Sequence, residues 1–499
     1  MGSSQSKPPR PPTVPTDSII PMSHWDQGYF GHYIIDVVYR FDDVLDAAKL
    51  RESLETLMTI RNWRMLGARL RQNQDSGQFE YHLPAEYSAK RPPFIFNTTS
   101  HNTSIHEHPI ASQLPRETGY ASPAVLNNRF SINPLFDGLC NPTSIDAWLT
   151  ADLPQVIYHV VVFRDATLLK LTHNHGFMDG MSRASLLNAW MTVLHGKEDE
   201  VPELCPLSED ARAPLAEKTT ESEFDNGTQQ VGKGGMLRFL VRTVLERLWY
   251  PEEEDRLVCI PGHLIAEMTN QAVQTLSPQL AKNENETSSP FISESDVLFA
   301  FWSKILLQAL QPSASQQVML SNAFDIRSHS FPRDRAYMTN AMLLANTVLP
   351  AKEVLASPVS TLALLLRRSL EQQRTAPQIG GYYALSKRVF AETGRPIFLG
   401  RPSALNIVVS NWHRGRCFDL DFSPAVYKAG TPLANRANAL GKPSLVLGSG
   451  VEQDVSMRNV GVVMGKDAGG NWWMSFTLRK KAWVKIEKMF SKINVTGDC

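Results

Sequence analysis

The stretch THNHGFMDGMS, residues 172–182, combines two histidines with an aspartate that is followed directly by a glycine. His175, Asp179 and Gly180 form a His-x-x-x-Asp-Gly pattern. The spacing of the histidine and the aspartate is uninformative by itself, because HYIID (32–36) and HGKED (195–199) repeat it in the same chain. The role of the stretch must therefore be inferred from its surroundings.

The flanking segments predict a strand, a loop and a helix. VIYHVVVF (156–163) and TLLKLTHNH (167–175) are rich in β-branched and apolar residues around a short turn, which indicates two adjacent buried strands. RASLLNAWMTVLHG (183–196) is typical of a helix that ends at a glycine. His175 is thus predicted just beyond a strand and Asp179 just before a helix, a position that neither HYIID nor HGKED shares.

Metal binding is one use of such residues, since His173 and His175 would share a strand face and Asp179 would add a third zinc ligand. The other dense histidine cluster, residues 101–108, lies in a polar segment that predicts a surface loop, so we expect no metal. A Ser-His-Asp hydrolase and a phosphate-binding loop are also disfavoured. The sequence contains none of the patterns Gly-x-Ser-x-Gly, GxGxxG and GxxxxGK(S/T).

General base catalysis by His175 is the remaining chemical interpretation, because a neutral imidazole can take a proton from an alcohol or amine near neutral pH. Asp179 would then anchor the loop, and Gly180 would let the start of the helix approach closely. The alternative is a solvated loop histidine beside an aspartate that simply caps the helix. The spacing alone does not separate the two.

Composition bounds the class of protein. The chain has 499 residues, enough for two domains, and its 50 basic and 50 acidic residues balance, which argues against a nucleic-acid binder. Its five cysteines are scattered and form no CxxC pair, so we expect reduced thiols in the cytoplasm. No apolar run approaches the ~18 residues of a membrane span, and the N-terminus lacks the apolar core of a secretory signal.

Two segments raise the question of membrane contact. MGSSQSKPPRPP, at the N-terminus, fits the pattern for myristoylation of Gly2, against the alternative of an unmodified Pro-rich tail. MLRFLVRTVLERLWY (236–250) predicts an amphipathic helix, which either lies on a membrane surface or packs on its own domain. Because one myristoyl chain binds membranes only marginally, we expect at most weak, reversible association.

The remaining pattern predicts helices and strands mixed in both halves, an α/β or α+β fold. We expect a strand at 32–41, a helix at 44–63, mostly irregular structure at 85–135, a helix at 293–310 capped by a serine, and a hairpin turn at 467–470. We divide the chain into a disordered Pro-rich tail (1–18), an N-terminal domain (19–205), a linker with the amphipathic helix (206–255) and a C-terminal domain (256–499).

Several motifs resemble, in order along the chain, those of the BAHD acyl-CoA-dependent acyltransferases, in particular their fungal branch. HGFMDG is similar to the HxxxDG motif, NWRMLGARLR (62–71) to a Leu-Gly-Ala-Arg segment and FDIRSHSF (324–331) to an Asn/Asp-x-Arg strand. VVSNWHRGRCFDLDFS (408–423) resembles the Ser/Thr-x-Trp strand that runs into Asp-Phe-Gly-Trp-Gly. The last motif departs from the family: Asp421 and Phe422 are present, but Ser-Pro-Ala replaces Gly-Trp-Gly.

The resemblance implies two chloramphenicol-acetyltransferase-like domains, each a mixed sheet with flanking helices, and an active-site channel between them. It also implies a monomer that uses acyl-CoA, most often acetyl-CoA, to acylate a hydroxyl of a small-molecule natural product. Two alternatives stay open. One is acyl transfer or condensation from a carrier-protein thioester, and the other is a non-catalytic binding protein on the same scaffold, which the altered loop motivates.

Residue roles follow from the matching positions. His175 would be the general base, and Asp179 would be structural, held by a bidentate ion pair with Arg327. Ser410 and Trp412 would contact the tetrahedral intermediate. Gly180 and Asp421 would support the site, and His173 would be either an accessory residue or an ordinary strand histidine.

Overall fold

The computed structural model describes residues 10–115, 121–126, 133–136, 140–225, 230–280, 291–331, 334–450 and 458–493. Gly2, the predicted myristoylation site, lies outside them. The helices are α1 Ala47–Thr59, α2 Ile145–Thr150, α3 Gly180–Leu194, α4 Ala213–Ala216, α5 Lys233–Trp249, α6 Gly262–Leu280, α7 Glu294–Leu310, α8 Arg327–Ser330, α9 Ala351–Ala356, α10 Val359–Gln373, α11 Ala376–Thr393 and α12 Lys480–Phe490.

Within the described part of the chain, the strands form five sheets, of which two are large. Their bounds are β1 Ser18–Pro21, β2 Ile34–Phe41, β3 Asp43–Leu45, β4 Arg69–Gln72, β5 Phe79–Leu83, β6 Ile95–Ser100, β7 Ala124–Leu126, β8 Val156–Val162, β9 Thr167–Asn174, β10 Glu203–Leu204, β11 Glu253–Ile260, β12 Gln317–Asp325, β13 Arg335–Ala336, β14 Met342–Pro350, β15 Leu405–Asn411, β16 Val426–Ala429, β17 Leu445–Gly450, β18 Val460–Lys466 and β19 Trp472–Arg479.

The first large sheet has the strand order β17-β2-β9-β8-β6 and is mixed, since β6 and β8 run parallel and the other pairs antiparallel. All eight residues of β9 are buried, including the polar Lys170, Thr172, His173 and Asn174, as expected for a strand that is covered on both faces. Helix α1 packs against α3. Its Leu50, Leu54 and Leu57, which recur at helical spacing, are fully buried, and each such side chain stabilises the fold by about 1.5–3 kcal/mol.

The second large sheet has the order β14-β12-β15-β18-β19-β11-β7 and is also mixed. Its core is built around α7, which is buried along nearly its whole length and packs against α6, α10 and α12. The predicted serine cap is confirmed: the hydroxyl of Ser293 accepts a hydrogen bond from the backbone N–H of Asp296. The mixed α/β fold class is therefore confirmed, with the predicted hairpin turn joining β18 to β19.

The two halves of the chain exchange strands. The β17 strand, from the second half, completes the first sheet beside β2, and β7, from the first half, completes the second sheet beside β11. The segment 85–135, expected to be mostly irregular, contributes β6 and β7 as edge strands. Among the described residues, no helix combines the length and the apolar character needed to cross a bilayer.

Candidate active site

The loop between β9 and α3 is fixed by its backbone and by one asparagine. The backbone N–H of His175 donates to the carbonyl of Tyr33 at 2.7 Å. The side chain of Asn174 accepts from the N–H of Gly176 at 2.8 Å and donates to the carbonyl of Gly31, also at 2.8 Å. The strand–loop–helix arrangement predicted around His175 is confirmed, and the loop is tied to the segment that leads into β2.

His175 lies in this loop with a half-buried side chain. Burial lowers the pKa of its imidazole below the ordinary value of 6.5, and the interaction with its own backbone carbonyl opposes this shift only in part. The imidazole is therefore neutral at physiological pH, which is the form that can accept a proton.

Asp179 caps α3 and is almost completely buried. Its carboxylate accepts hydrogen bonds from the N–H groups of Met181 and Ser182 at 3.0 and 2.9 Å, and from the N–H of Ala341 at 2.8 Å. Burial alone would raise the pKa of Asp179, but the charge of Arg327 and these hydrogen bonds outweigh it and lower the pKa. Asp179 is thus a fully ionised anchor that joins α3 to the start of β14.

Arg327 pairs with Asp179, as the resemblance implies, but the geometry differs from a two-nitrogen fork. Nη2 lies 3.1 Å from both carboxylate oxygens of Asp179, whereas Nη1 donates to Asp325 at 2.6 Å. Nη2 also donates to the hydroxyl of Ser182 at 2.7 Å. The guanidinium is divided between the buried Asp179 and the partly exposed Asp325, so each acid has a cationic partner.

A second buried network holds the other side of the loop, and the sequence alone did not reveal it. Nδ2 of Asn340 donates to the carbonyls of His175 and Gly176 at 2.8 and 3.3 Å, and to Asp26 at 3.0 Å. Asp26 is paired in turn with Arg212 at 3.0 Å, and both side chains are buried. These residues are far apart in the chain, so only the fold brings them together.

Ser410 and Trp412, at the end of β15, lie against the first turn of α3. Nε1 of Trp412 donates to the hydroxyl of Ser410 at 3.1 Å. A Cβ at Gly180 would lie only 2.8 Å from Cδ1 of Trp412, so glycine is required for the helix to approach the indole this closely. The guanidinium of Arg183 lies over the indole ring of Trp412, 3.9 Å from the ring centroid.

His173 belongs to the interior of β9 and is about 1% exposed. Burial and then the charge of Arg183 hold its pKa well below the ordinary value. Nδ1 lies 3.2 Å from the carbonyl of Asn174, and Nε2 has no hydrogen-bond partner among the residues that the structure describes. This environment is that of a neutral sheet histidine.

The Asp421–Ala425 loop lies at the opposite end of α3 from His175. The carboxylate of Asp421 accepts from the N–H of Ser423 at 2.9 Å, and Phe422 is fully buried against Phe41 and Trp190. Because α3 has 15 residues, the two ends are separated by about 22 Å. The altered motif therefore has no contact with the loop that carries His175.

Groups of three or more potential metal ligands do not occur among the described residues. The set His173, His175 and Asp179 is not brought together as a metal site, because the carboxylate of Asp179 is directed to Arg327 and to backbone N–H groups.

Comparison with known proteins extends this picture. The family model described as "Transferase family" matches residues 150–425, which include the His175 loop, the Arg327 segment and the Ser410 strand. This chain belongs to the Transferase family, the BAHD-type acyltransferases. It is an acyl-CoA-dependent O-acyltransferase, and the predicted family is confirmed.

Curated relatives match nearly the whole length of this chain. The acetyltransferase adrJ of Penicillium roqueforti is 38% identical over 497 residues, 98% of this chain and 99% of the relative. The O-acyltransferase pboC of Aspergillus ustus is 38% identical over 462 residues, 92% of this chain and 96% of the relative. Among solved structures, TRI101 of F. sporotrichioides, complexed with coenzyme A and T-2, superposes with a TM-score of 0.67 at 16% identity, covering 95% of this chain and 98% of TRI101. The two-domain acyltransferase fold is thereby confirmed.

Proposed function

We propose that this enzyme transfers an acetyl group from acetyl-CoA to a hydroxyl of a small-molecule natural product, with His175 as the general base. The observation that carries the proposal is the geometry of the His175 loop. The imidazole is neutral, its backbone is held from both sides by Tyr33 and Asn340, and the neighbouring Asp179 is committed to Arg327 rather than to the histidine.

The chemistry needs one proton to be moved twice. His175 takes the proton of the acceptor hydroxyl, and the oxygen attacks the thioester carbonyl. When the tetrahedral intermediate collapses, the carbon–sulfur bond breaks and the imidazolium returns the proton to the CoA thiolate. The thioester is already activated, so this sequence requires neither a metal nor an acyl-enzyme.

Ser410 is suited to stabilise the oxyanion of that intermediate. Because the indole N–H of Trp412 can only donate, the Ser410 hydroxyl oxygen acts as acceptor in their hydrogen bond. The hydroxyl proton of Ser410 is then available to an external oxygen. Removing one such donor typically costs about 10²–10³-fold in kcat.

The relatives support the choice of substrates. The name of adrJ specifies acetyl transfer, that of pboC specifies oxygen as the acceptor atom, and TRI101 is seen with coenzyme A and T-2 in one complex. Acetyl-CoA and a hydroxylated natural product are therefore the substrates we propose. We further propose a cytoplasmic monomer, with Gly2 as an acceptor for myristate that mass spectrometry of the N-terminal peptide would detect.

The test is acyl transfer by the purified chain with acetyl-CoA and a panel of natural-product alcohols. Substitution His175→Ala should lower kcat by about 10²–10⁴-fold, because a general base is lost. The matched control is His195→Ala, at the His-x-x-x-Asp spacing that begins directly after α3. If His175→Ala transfers acyl groups as fast as the wild type, the mechanism is wrong.

The choice of donor separates the alternative functions. Turnover with an acyl-loaded carrier protein but not with acetyl-CoA would favour the carrier-dependent alternative, and no turnover with either donor would favour a binding protein.

The pH dependence provides an independent check. Since the folded protein lowers the pKa of His175, the pH-independent plateau of the rate profile should extend to a lower pH than it would with an ordinary histidine. The rate should be constant at neutral pH and fall as the pH drops through this lowered pKa. If the rate already declines with falling pH while the pH is still above ~7, a neutral His175 is contradicted.

A further inference from the structure

Helix α5 is oriented with its apolar side toward solvent. Seven of the fifteen large apolar side chains that are exposed among the described residues lie on this single helix. They are Leu237, Leu240, Val241, Val244, Leu245, Leu248 and Trp249, and we call them the α5 stripe. Leu248 and Trp249 are each 73% exposed. Isolated exposed apolar residues are ordinary, but a contiguous stripe on one helix marks an interaction surface.

The opposite side of α5 is held to the protein by polar contacts. Arg242 donates to the carbonyl of Ala404, and the carboxylate of Glu246 faces the guanidinium of Arg458 at 4.0 Å. The ring of Phe239 packs on Phe398 with centroids 5.4 Å apart. The helix is therefore fixed by its more polar side, and rotating the stripe inward would break these bonds.

Positive charge surrounds the stripe. With 100° per residue, Arg247 lies just outside the stripe, Arg238 lies near its edge between Leu245 and Trp249, and Lys233 lies one turn before Leu237. Arg395 and Arg401 are exposed on the neighbouring 394–404 segment. Among the residues that the structure describes, three nearby acids are engaged: Glu246 faces Arg458, Glu252 pairs with Lys480 and Glu392 pairs with Arg388.

We propose that the α5 stripe docks on an anionic lipid bilayer, with its apolar side chains at the level of the headgroup–acyl boundary. An apolar side with leucine, valine and tryptophan, bordered by lysine and arginine, is the composition of an interfacial helix. A second copy of the chain fits less well, because two apposed stripes would bring their borders of like charge together. Anionic headgroups complement that border, and each cation near such a surface adds to the attraction.

The docking surface is separate from the proposed active site. Ala404, which anchors Arg242, precedes β15, whose other end carries Ser410. The six residue steps of extended chain from Ala404 to Ser410 span about 20 Å. Membrane docking would place the enzyme where apolar substrates concentrate, but the inference does not depend on the acyl-transfer proposal.

The test is flotation of the full-length chain with lipid vesicles, in a Gly2→Ala background so that acylation cannot contribute. Vesicles of phosphatidylcholine with about 30% phosphatidylserine should bind the protein, and phosphatidylcholine alone should bind it more weakly. The variant Leu237→Glu/Val244→Glu/Leu248→Glu should lower the partition coefficient by about tenfold or more. The control Val273→Glu/Leu433→Glu/Val484→Glu introduces the same charge at other exposed apolar positions and should bind like the parent.

Three outcomes would overturn the proposal. They are no binding of the parent to anionic vesicles, an equal loss of binding in both triple variants, and concentration-dependent self-association of the parent that only the α5 variant abolishes. The last result, measured by sedimentation velocity, would assign the stripe to a second copy of the chain. Acyl transfer in solution should be the same in the α5 variant and the parent, so failure of the docking proposal is distinguishable from failure of the proposed function.

Discussion

The two ends of α3 each place a histidine near a carboxylate, in opposite surroundings. At the N-terminal end, Asp179 is buried and accepts hydrogen bonds from α3, from the start of β14 and from Arg327. At the C-terminal end, Nε2 of the partly exposed His195 donates to the backbone carbonyl of Asp421 at 3.1 Å and lies 3.7 Å from its carboxylate. One end is an interlocked buried network and the other is a surface contact.

The buried network at the N-terminal end of α3 fixes atomic positions more tightly than the surface contact at the other end. A buried charge must have all its partners in place, because the cost of an unmet charge in the interior exceeds the gain of any single contact. The network around Asp179 thus fixes the backbone on which His175 is carried. A solvated ion pair contributes little to the free energy of folding, and its residues can be replaced without displacing their neighbours.

Substitution Asp179→Asn should have the largest effect on stability among the changes that compare these ends. The amide would remove the negative charge facing Arg327 and place N–H groups near the N–H of Ala341. We expect a loss of about 3 kcal/mol in the free energy of unfolding, measured by chemical denaturation at neutral pH. Asp199→Asn, an exposed aspartate of the HGKED spacing, is the control and should change it by less than about 0.5 kcal/mol. Equal effects of the two substitutions would show that the network does not stabilise the fold.

Substitution Asn340→Ala should act on the rate more than on substrate affinity. It removes the amide donor that holds the carbonyls of His175 and Gly176, so the loop loses one of its buried attachments. A penalty of about 1–3 kcal/mol corresponds to about a 5–150-fold fall in kcat, with KM nearly unchanged. The control Asn346→Ala removes an asparagine of β14 that bonds to Ser321 instead. A rise in KM without a fall in kcat would mean that Asn340 serves substrate binding rather than the position of the loop.

The N-terminal end also shows how far sequence reasoning reaches. The strand before His175, the capping role of Asp179 and the close approach at Gly180 follow from local rules of spacing and propensity. The partnership with Arg327 was available only through resemblance to a family, since 148 residues separate the two side chains. Asp26 and Arg212 carry no local signal at all, because a buried ion pair between distant segments depends on how the chain folds back.

The edge strands illustrate a second limit. The β6 strand, with the sequence IFNTTS, is half polar because only one side of an edge strand needs to be buried, and its composition resembles that of a loop. Helix α5 presents the converse case. Its amphipathic period was correct, but periodicity identifies an apolar side without indicating whether that side faces the protein or the solvent.

The smallest effect is expected at the C-terminal end of α3, from His195→Ala. The contact of His195 with Asp421 is partly exposed, so its loss should change the free energy of unfolding by less than about 1 kcal/mol and leave kcat unchanged. What holds the altered loop is instead Phe422, buried in edge-to-face contact with Phe41 and Trp190 at 5.2 Å each. Phe422→Ala should therefore be the damaging change in this loop. If His195→Ala lowered kcat as much as Asn340→Ala, the two ends of α3 would be functionally coupled, and the departure from the family motif at residues 423–425 would bear on catalysis.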